Sequence, residues 1–136
     1  MAITDIPILS MLRTRLSWHQ ERQRVLAENV ANANTTGFRP RDLVQPKFTQ
    51  TGVAAATPAT TIALARTESS HIAGAGLGAS SFRSEIKGNY EIRPAGNAVS
   101  LEDEMMKVAT NQMDYQAATA VYSHSLNLMK IAMGRR

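Results

Sequence analysis

Leu26-Ala-Glu-Asn-Val-Ala-Asn-Ala-Asn-Thr-Thr-Gly-Phe38 reads as the end of a long helix and the turn that leaves it. Asn29, Asn32 and Asn34 crowd its last turns, Gly37 can take the left-handed conformation beyond them, and Pro40 cannot continue a helix. A stop near Asn34 follows, with Gly37 and Phe38 in the signature turn. Upstream, from about Asp5, the apolar positions Leu9, Leu12, Leu16, Leu26, Val30 and Ala33 follow 3- and 4-residue steps if His19 and Gln23 fill the gap. The seam spans roughly 40 Å of helix and has a polar middle, which weakens an isolated helix pair but can fix its register.

A second long helix answers it at the other end. Ser100 precedes Leu101-Glu102-Asp103-Glu104, an N-cap serine followed by an acidic first turn that complements the helix dipole. From there Leu101, Met105, Val108, Gln112, Tyr115, Thr119, Tyr122, Leu126, Met129 and Met133 alternate 4- and 3-residue steps without a break. Ala118, Val121, Leu128 and Ala132 form a neighbouring stripe, so the second half should touch more than one helix. Arg135 and Arg136 suit the negative end of the dipole. At near 50 Å, such a helix is too long for a domain of this size to bury alone.

Between the helices the pattern weakens. Residues 45–81 are rich in Ala, Thr, Gly and Ser and bury too little apolar surface to offset their ordering entropy, so mobility is expected there unless a partner intervenes. Residues 82–99 show partial alternation and a Gly-Asn turn signal, which permits a short β-hairpin. The chain therefore divides into an N-terminal helix with its turn (1–44), a low-complexity segment (45–81), the hairpin candidate (82–99) and a C-terminal helix (100–136). The expected fold is mainly α, an antiparallel coiled-coil-like pair of terminal helices around an irregular middle.

Composition agrees. At 136 residues the chain is one domain at most, poor in aromatics and rich in Ala and Met, which suits helical packing. The net charge of +4 sits mainly in the N-terminal third, where Arg13, Arg15, Arg22 and Arg24 share one helix. That is a footprint for an anionic partner or a set of solvated helix arginines. The absence of cysteine excludes disulfide scaffolds, thiol catalysis and cysteine zinc sites. No Sec signal is visible at the N-terminus, and no apolar run approaches the roughly 20 residues of a membrane span.

No reaction centre emerges. His19, His71 and His124 lack metal-ligand spacing, and His124 between Ser123 and Ser125 makes no relay because adjacent helical residues point apart. Glu102, Asp103 and Glu104 are explained by the helix start. Gly74-Ala-Gly-Leu-Gly78 lacks the Gly-Lys-Ser/Thr ending of a phosphate loop. No catalytic, metal or cofactor residue is assigned.

The stretch from Leu26 through Phe38 to Asp42 resembles the N-terminal signature of bacterial flagellar axial proteins. Leu64-Ala-Arg-Thr-Glu-Ser-Ser-His-Ile72, Gly96-Asn-Ala-Val-Ser-Leu-Glu-Asp-Glu-Met105 and Asn111-Gln-Met-Asp-Tyr115 are similar to motifs of the proximal-rod FlgB family. The resemblance implies a basal-body rod subunit that stacks helically, with itself and other rod proteins, into a drive shaft around the export channel. It also implies type III export without a cleaved signal, and an export gate and membrane-ring adaptor protein as neighbours at the rod base. Leu12, Leu16, Leu26, Val30, Val108, Tyr115, Tyr122, Leu126 and Met129 are then the helix-pair and inter-subunit seam. Asn29, Asn32, Asn34, Gly37 and Phe38 would set the turn out of the inner domain.

Two other classes stay open at this level. A helical nucleic-acid-binding protein would use the N-terminal arginines and bind with a steep salt dependence. A small hydrolase acting on cell-wall polymer would need an acid and base pair that the sequence does not display.

Overall fold

A computed structural model describes residues 6–48, 54–55, 82–86 and 92–134. Helix α1 runs over Pro7–Ala31 and helix α2 over Leu101–Ala132. Between them come the short strands β1 (Arg41–Leu43), β2 (Lys47–Phe48), β3 (Ala54–Ala55) and β4 (Ser84–Ile86). The protein is mainly α. Most of residues 45–81, including the His71 segment and the glycine-rich run, lies outside the described residues.

Each helix boundary has a local cause. Pro7 occupies the first helical position, where its missing N–H is no loss, so α1 starts there without a side-chain cap. Its last helical residue is Ala31, three short of the expected stop, because the Asn32 side chain folds back 2.8 Å onto the Glu28 carbonyl. Residues 32–37 then leave the helix in turns, and Gly37 adopts φ +72°. At α2 the expected cap is present: Ser100 Oγ accepts the Asp103 N–H, with Glu102, Asp103 and Glu104 in the first turn.

The helices pair antiparallel, as successive cross-links demonstrate: Asn29 to Glu104, His19 and Gln23 to Asn111, Gln20 to Tyr115. Continuing that register puts Pro7 near Leu126–Leu128, so the final turns of α2 run past the start of α1. The α1 seam is the expected one, with Leu9, His19, Leu26 and Ala33 buried and Leu12, Leu16, Gln23 and Val30 half-buried.

The α2 seam differs from expectation by one residue at every second position. Val108, Tyr115, Tyr122 and Met129 turn inward, but their seam companions are Glu104, Asn111, Ala118 and Ser125. Leu101, Met105, Gln112, Thr119, Leu126 and Met133, the expected companions, are exposed. Both sets keep 3- and 4-residue spacing, and apolarity favours the exposed set. Hydrogen bonding from α1 decides for the other, because Asn29 and His19 would be left buried without their partners if α2 rotated.

On its other face α1 carries the strands. Trp18, Val25 and Leu43 form a small core against which Phe82 packs, and Trp18 Nε1 donates to the Val44 carbonyl at 2.9 Å. Strand β1 pairs antiparallel with β4 in the register Arg41 to Ile86, and β2 pairs with β3. Of the hairpin candidate over 82–99, strand β4 is present with β1 as its partner, while its turn lies outside the described residues.

Candidate functional site

Two surfaces distinguish this molecule, a hydrogen-bonded junction at one end of the helix pair and an apolar flank along α2. The junction is built from Asn29, Asn32 and Gly37 on one side and Asn97 and Glu104 on the other. Asn97 Nδ2 lies 3.0 Å from the carbonyls of both Asn32 and Ala33 and 2.7 Å from that of Thr35. Its Oδ1 accepts the Val99 N–H at 2.8 Å. One buried side chain thus ties together the turn that follows α1, from a point 64 residues away for Ala33.

The backbones interlock around it. Gly37 donates to the Ala95 carbonyl and Ala98 donates to that of Phe38. Gly96 has φ +78° and Gly37 φ +72°, a left-handed backbone that side chains with a Cβ rarely adopt, so the conformation of the two turns calls for glycine at both positions. Of the expected turn residues, Asn29 is buried and bonded, Asn32 caps Glu28, Gly37 is left-handed, and Phe38 is half-buried with its carbonyl engaged. Asn34 is exposed.

A second polar layer lies deeper in the pair. Asn111 Nδ2 donates to the His19 carbonyl and to Gln23 Oε1, both at 3.0 Å. Its Oδ1 is therefore the acceptor for His19, and Nδ1 carries the proton across 2.8 Å. His19 packs edge-on to Trp18, and its Nε2 is buried without a hydrogen-bond partner among the described residues. Among the described residues no nucleophile or carboxylate is hydrogen-bonded to that nitrogen. His124 is exposed on α2, and among the described residues no group of His, Cys, Asp and Glu could hold a metal.

The basic helix face is largely engaged within the chain. Arg22 makes two 2.9 Å bonds to Asp42 and sits 5.2 Å over the Trp18 ring. Arg24 bonds Glu21 at 2.7 Å and approaches Glu28, and these partners raise its pKa, the Glu21 hydrogen bond first. Two of the four arginines that suggested an anionic partner are thus neutralised by acidic neighbours.

The flank of α2 is the opposite in kind. No Asp, Glu, Lys or Arg occurs from Tyr115 to Met129. Exposed apolar side chains include Met105, Met106 and Met113 toward its start and Val121, Leu126, Leu128 and Ile131 toward its end, the last 71% exposed. Large exposed apolar side chains are thus concentrated on a stretch of helix without charge. Among the expected seam residues, Leu26 and Val30 of α1 and Val108, Tyr115, Tyr122 and Met129 of α2 line the pair, with Leu12 and Leu16 half-buried, whereas Leu126 faces outward.

Sequence reasoning missed the structural weight of Asn97, Glu104 and Asn111. Asn111 was discoverable, because it completes a heptad with Val108 and Tyr115 once polar residues are admitted to the seam. Nothing in the local sequence of Asn97 announces three distant carbonyls.

Comparison with known proteins agrees with this architecture. The family model described as flagella basal body rod protein matches residues 9–39, which hold most of α1 and the turn through Phe38. The flagellar basal body rod protein FlgB of Agrobacterium fabrum is 30% identical over 136 residues, covering 96% of each chain. The protein of the same name from Escherichia coli is 29% identical over 117 residues, covering 84% of this chain and 83% of its own. That from Salmonella typhimurium is 28% identical over 123 residues, covering 88% of each.

Proposed function

This chain belongs to the FlgB family of flagellar basal body rod proteins, and from that premise we propose how the subunit is used. It is a structural, non-enzymatic component of the basal-body rod and assembles with other rod subunits. Residues 1–44 and 100–136 act as paired axial segments. The subunit lies in the proximal rod, around the export channel, next to the membrane-ring adaptor and export gate. It reaches that place through the flagellar export apparatus without a cleaved Sec signal.

The observation that carries the reading is the uncharged, exposed second half of α2. Burying such a face against a neighbour stabilises by about 25 cal/mol per Å² of apolar area, and a repeated contact between unlike faces builds a filament. Leu12, Leu16, Leu26, Val30, Val108, Tyr115, Tyr122 and Met129 serve within the pair. Leu126, with Val121, Leu128 and Ile131, serves between subunits. Asn29, Asn32, Asn34, Gly37 and Phe38 direct the chain away from the axis.

Backbone NMR of the full chain, alone and with the adjacent rod subunit, tests this. Slowed amide exchange over Tyr115–Ala132 on adding the partner is expected, with residues near Leu26 already slow. Exchange over Tyr115–Ala132 that is already slow and unchanged by the partner would overturn it. Salt-sensitive binding of the chain to duplex DNA would favour the nucleic-acid reading instead.

A further inference from the structure

Glu104 has no exposed surface, and it reaches two elements besides its own. The link is Asn29. Its Oδ1 accepts the Arg41 N–H at 3.1 Å and its Nδ2 donates to the Arg41 carbonyl at 2.7 Å. One side chain therefore pairs with both backbone groups of a β1 residue, as a neighbouring strand would. The second proton of that Nδ2 goes to Glu104 Oε2 at 2.9 Å, while Lys107 holds Glu104 Oε1 at 2.6 Å. Three bonds to distinct partners leave the amide a single orientation.

We infer that Glu104 is a positioning residue that relays the pairing of α2 with α1 to strand β1, so that the β1–β4 sheet is set only when the helices are in register. The ties of the strand segment through Trp18 and Arg22 end on α1 and do not sense α2. The Asn29 tie does. A slip of α2 by one residue would present Asp103, a methylene shorter, or Met105, with no carboxylate, at the place where Asn29 needs an acceptor. The buried amide would then lack a partner for one N–H, and its hold on Arg41 would compete with the search for another. The inference concerns the folding of the subunit itself and stands apart from the identity of its rod neighbours.

Residue-resolved amide exchange on the full chain tests it, comparing wild type with Glu104→Ala, Glu104→Gln and Lys107→Ala. Glu104→Ala should speed exchange at Arg41 and Val44 on the order of tenfold, with a smaller change in α1 near Trp18. Glu104→Gln retains an acceptor for Asn29 without the charge and should restore slow exchange, and Lys107→Ala should leave β1 slow. Unchanged rates at Arg41 in Glu104→Ala would overturn the inference. So would an equal rise throughout α1 and β1, a Glu104→Gln variant as fast as Glu104→Ala, or wild-type exchange at Arg41 that is already unprotected.

Discussion

The junction half of the helix pair is polar and buried, whereas the far half of α2 is apolar and exposed. Near the junction, Asn29, Asn97, Glu104 and Asn111 are almost wholly withdrawn from solvent, each with more than one hydrogen-bond partner. Toward the other end, Leu128 and Ile131 face solvent. An isolated globular protein would distribute these residues the other way round. The difference separates two kinds of contact: directional bonds secure the fold and register of the chain, and undirected apolar area is left at the surface, where we propose that other subunits join.

That contrast can be broken most severely at Leu26, which is fully buried where α1 meets α2. Leu26→Ala should lower stability by about 3 kcal/mol, as for a leucine cavity in a packed core, measured by urea unfolding. A loss below about 1 kcal/mol would mean that the junction is not the anchor. Asn97→Ala comes next. Removing the amide whose two protons are shared among three carbonyls should cost about 2 kcal/mol, and unfolding followed at the Gly37–Phe38 turn should begin at lower denaturant than in α2.

A finer test exchanges polarity for apolarity within the seam. Asn111→Leu should cost about 1–2 kcal/mol, because the apolar side chain leaves His19 Nδ1 buried without its acceptor. It should lose uniqueness, seen as additional sets of His19 ring resonances in NMR spectra. A single set would show that Asn29 and Glu104 alone hold the register. The smallest effect on the isolated chain is expected at the exposed face. Met113→Ser and Ile131→Ser should each change unfolding by less than about 0.5 kcal/mol, yet reduce incorporation into rods, measured by motility and by basal-body isolation. A substantial loss of monomer stability would place these side chains in an intramolecular core instead.

These distinctions bear on what was legible beforehand. The helices themselves were, because Ser100 with its acidic first turn and the asparagine, glycine and proline sequence after Val30 are local signals with local causes. The α1 seam was also legible once His19 and Gln23 were admitted to it. The α2 seam was misphased because apolarity served as the criterion, and Met105 and Leu126 are more apolar than Glu104 and Ser125, which lie further from solvent. Its buried heptad, Glu104, Asn111, Ala118 and Ser125, is chosen by partners on α1 that no window of α2 contains. The three-carbonyl bond set of Asn97 was illegible for the same reason.

The crossing of the two turns also makes the protein a closed loop. The bonds from Gly37 to Ala95 and from Ala98 to Phe38 seal the chain between them at its neck, independently of what that chain contains. Once a loop of this size is sealed, doubling its length adds only about 0.6 kcal/mol of closure entropy. The neck therefore lets the chain between β1 and β4 lengthen or shorten while the helix pair below keeps its geometry. Chain length between the strands can thus change at little cost to the pairing of the two helices.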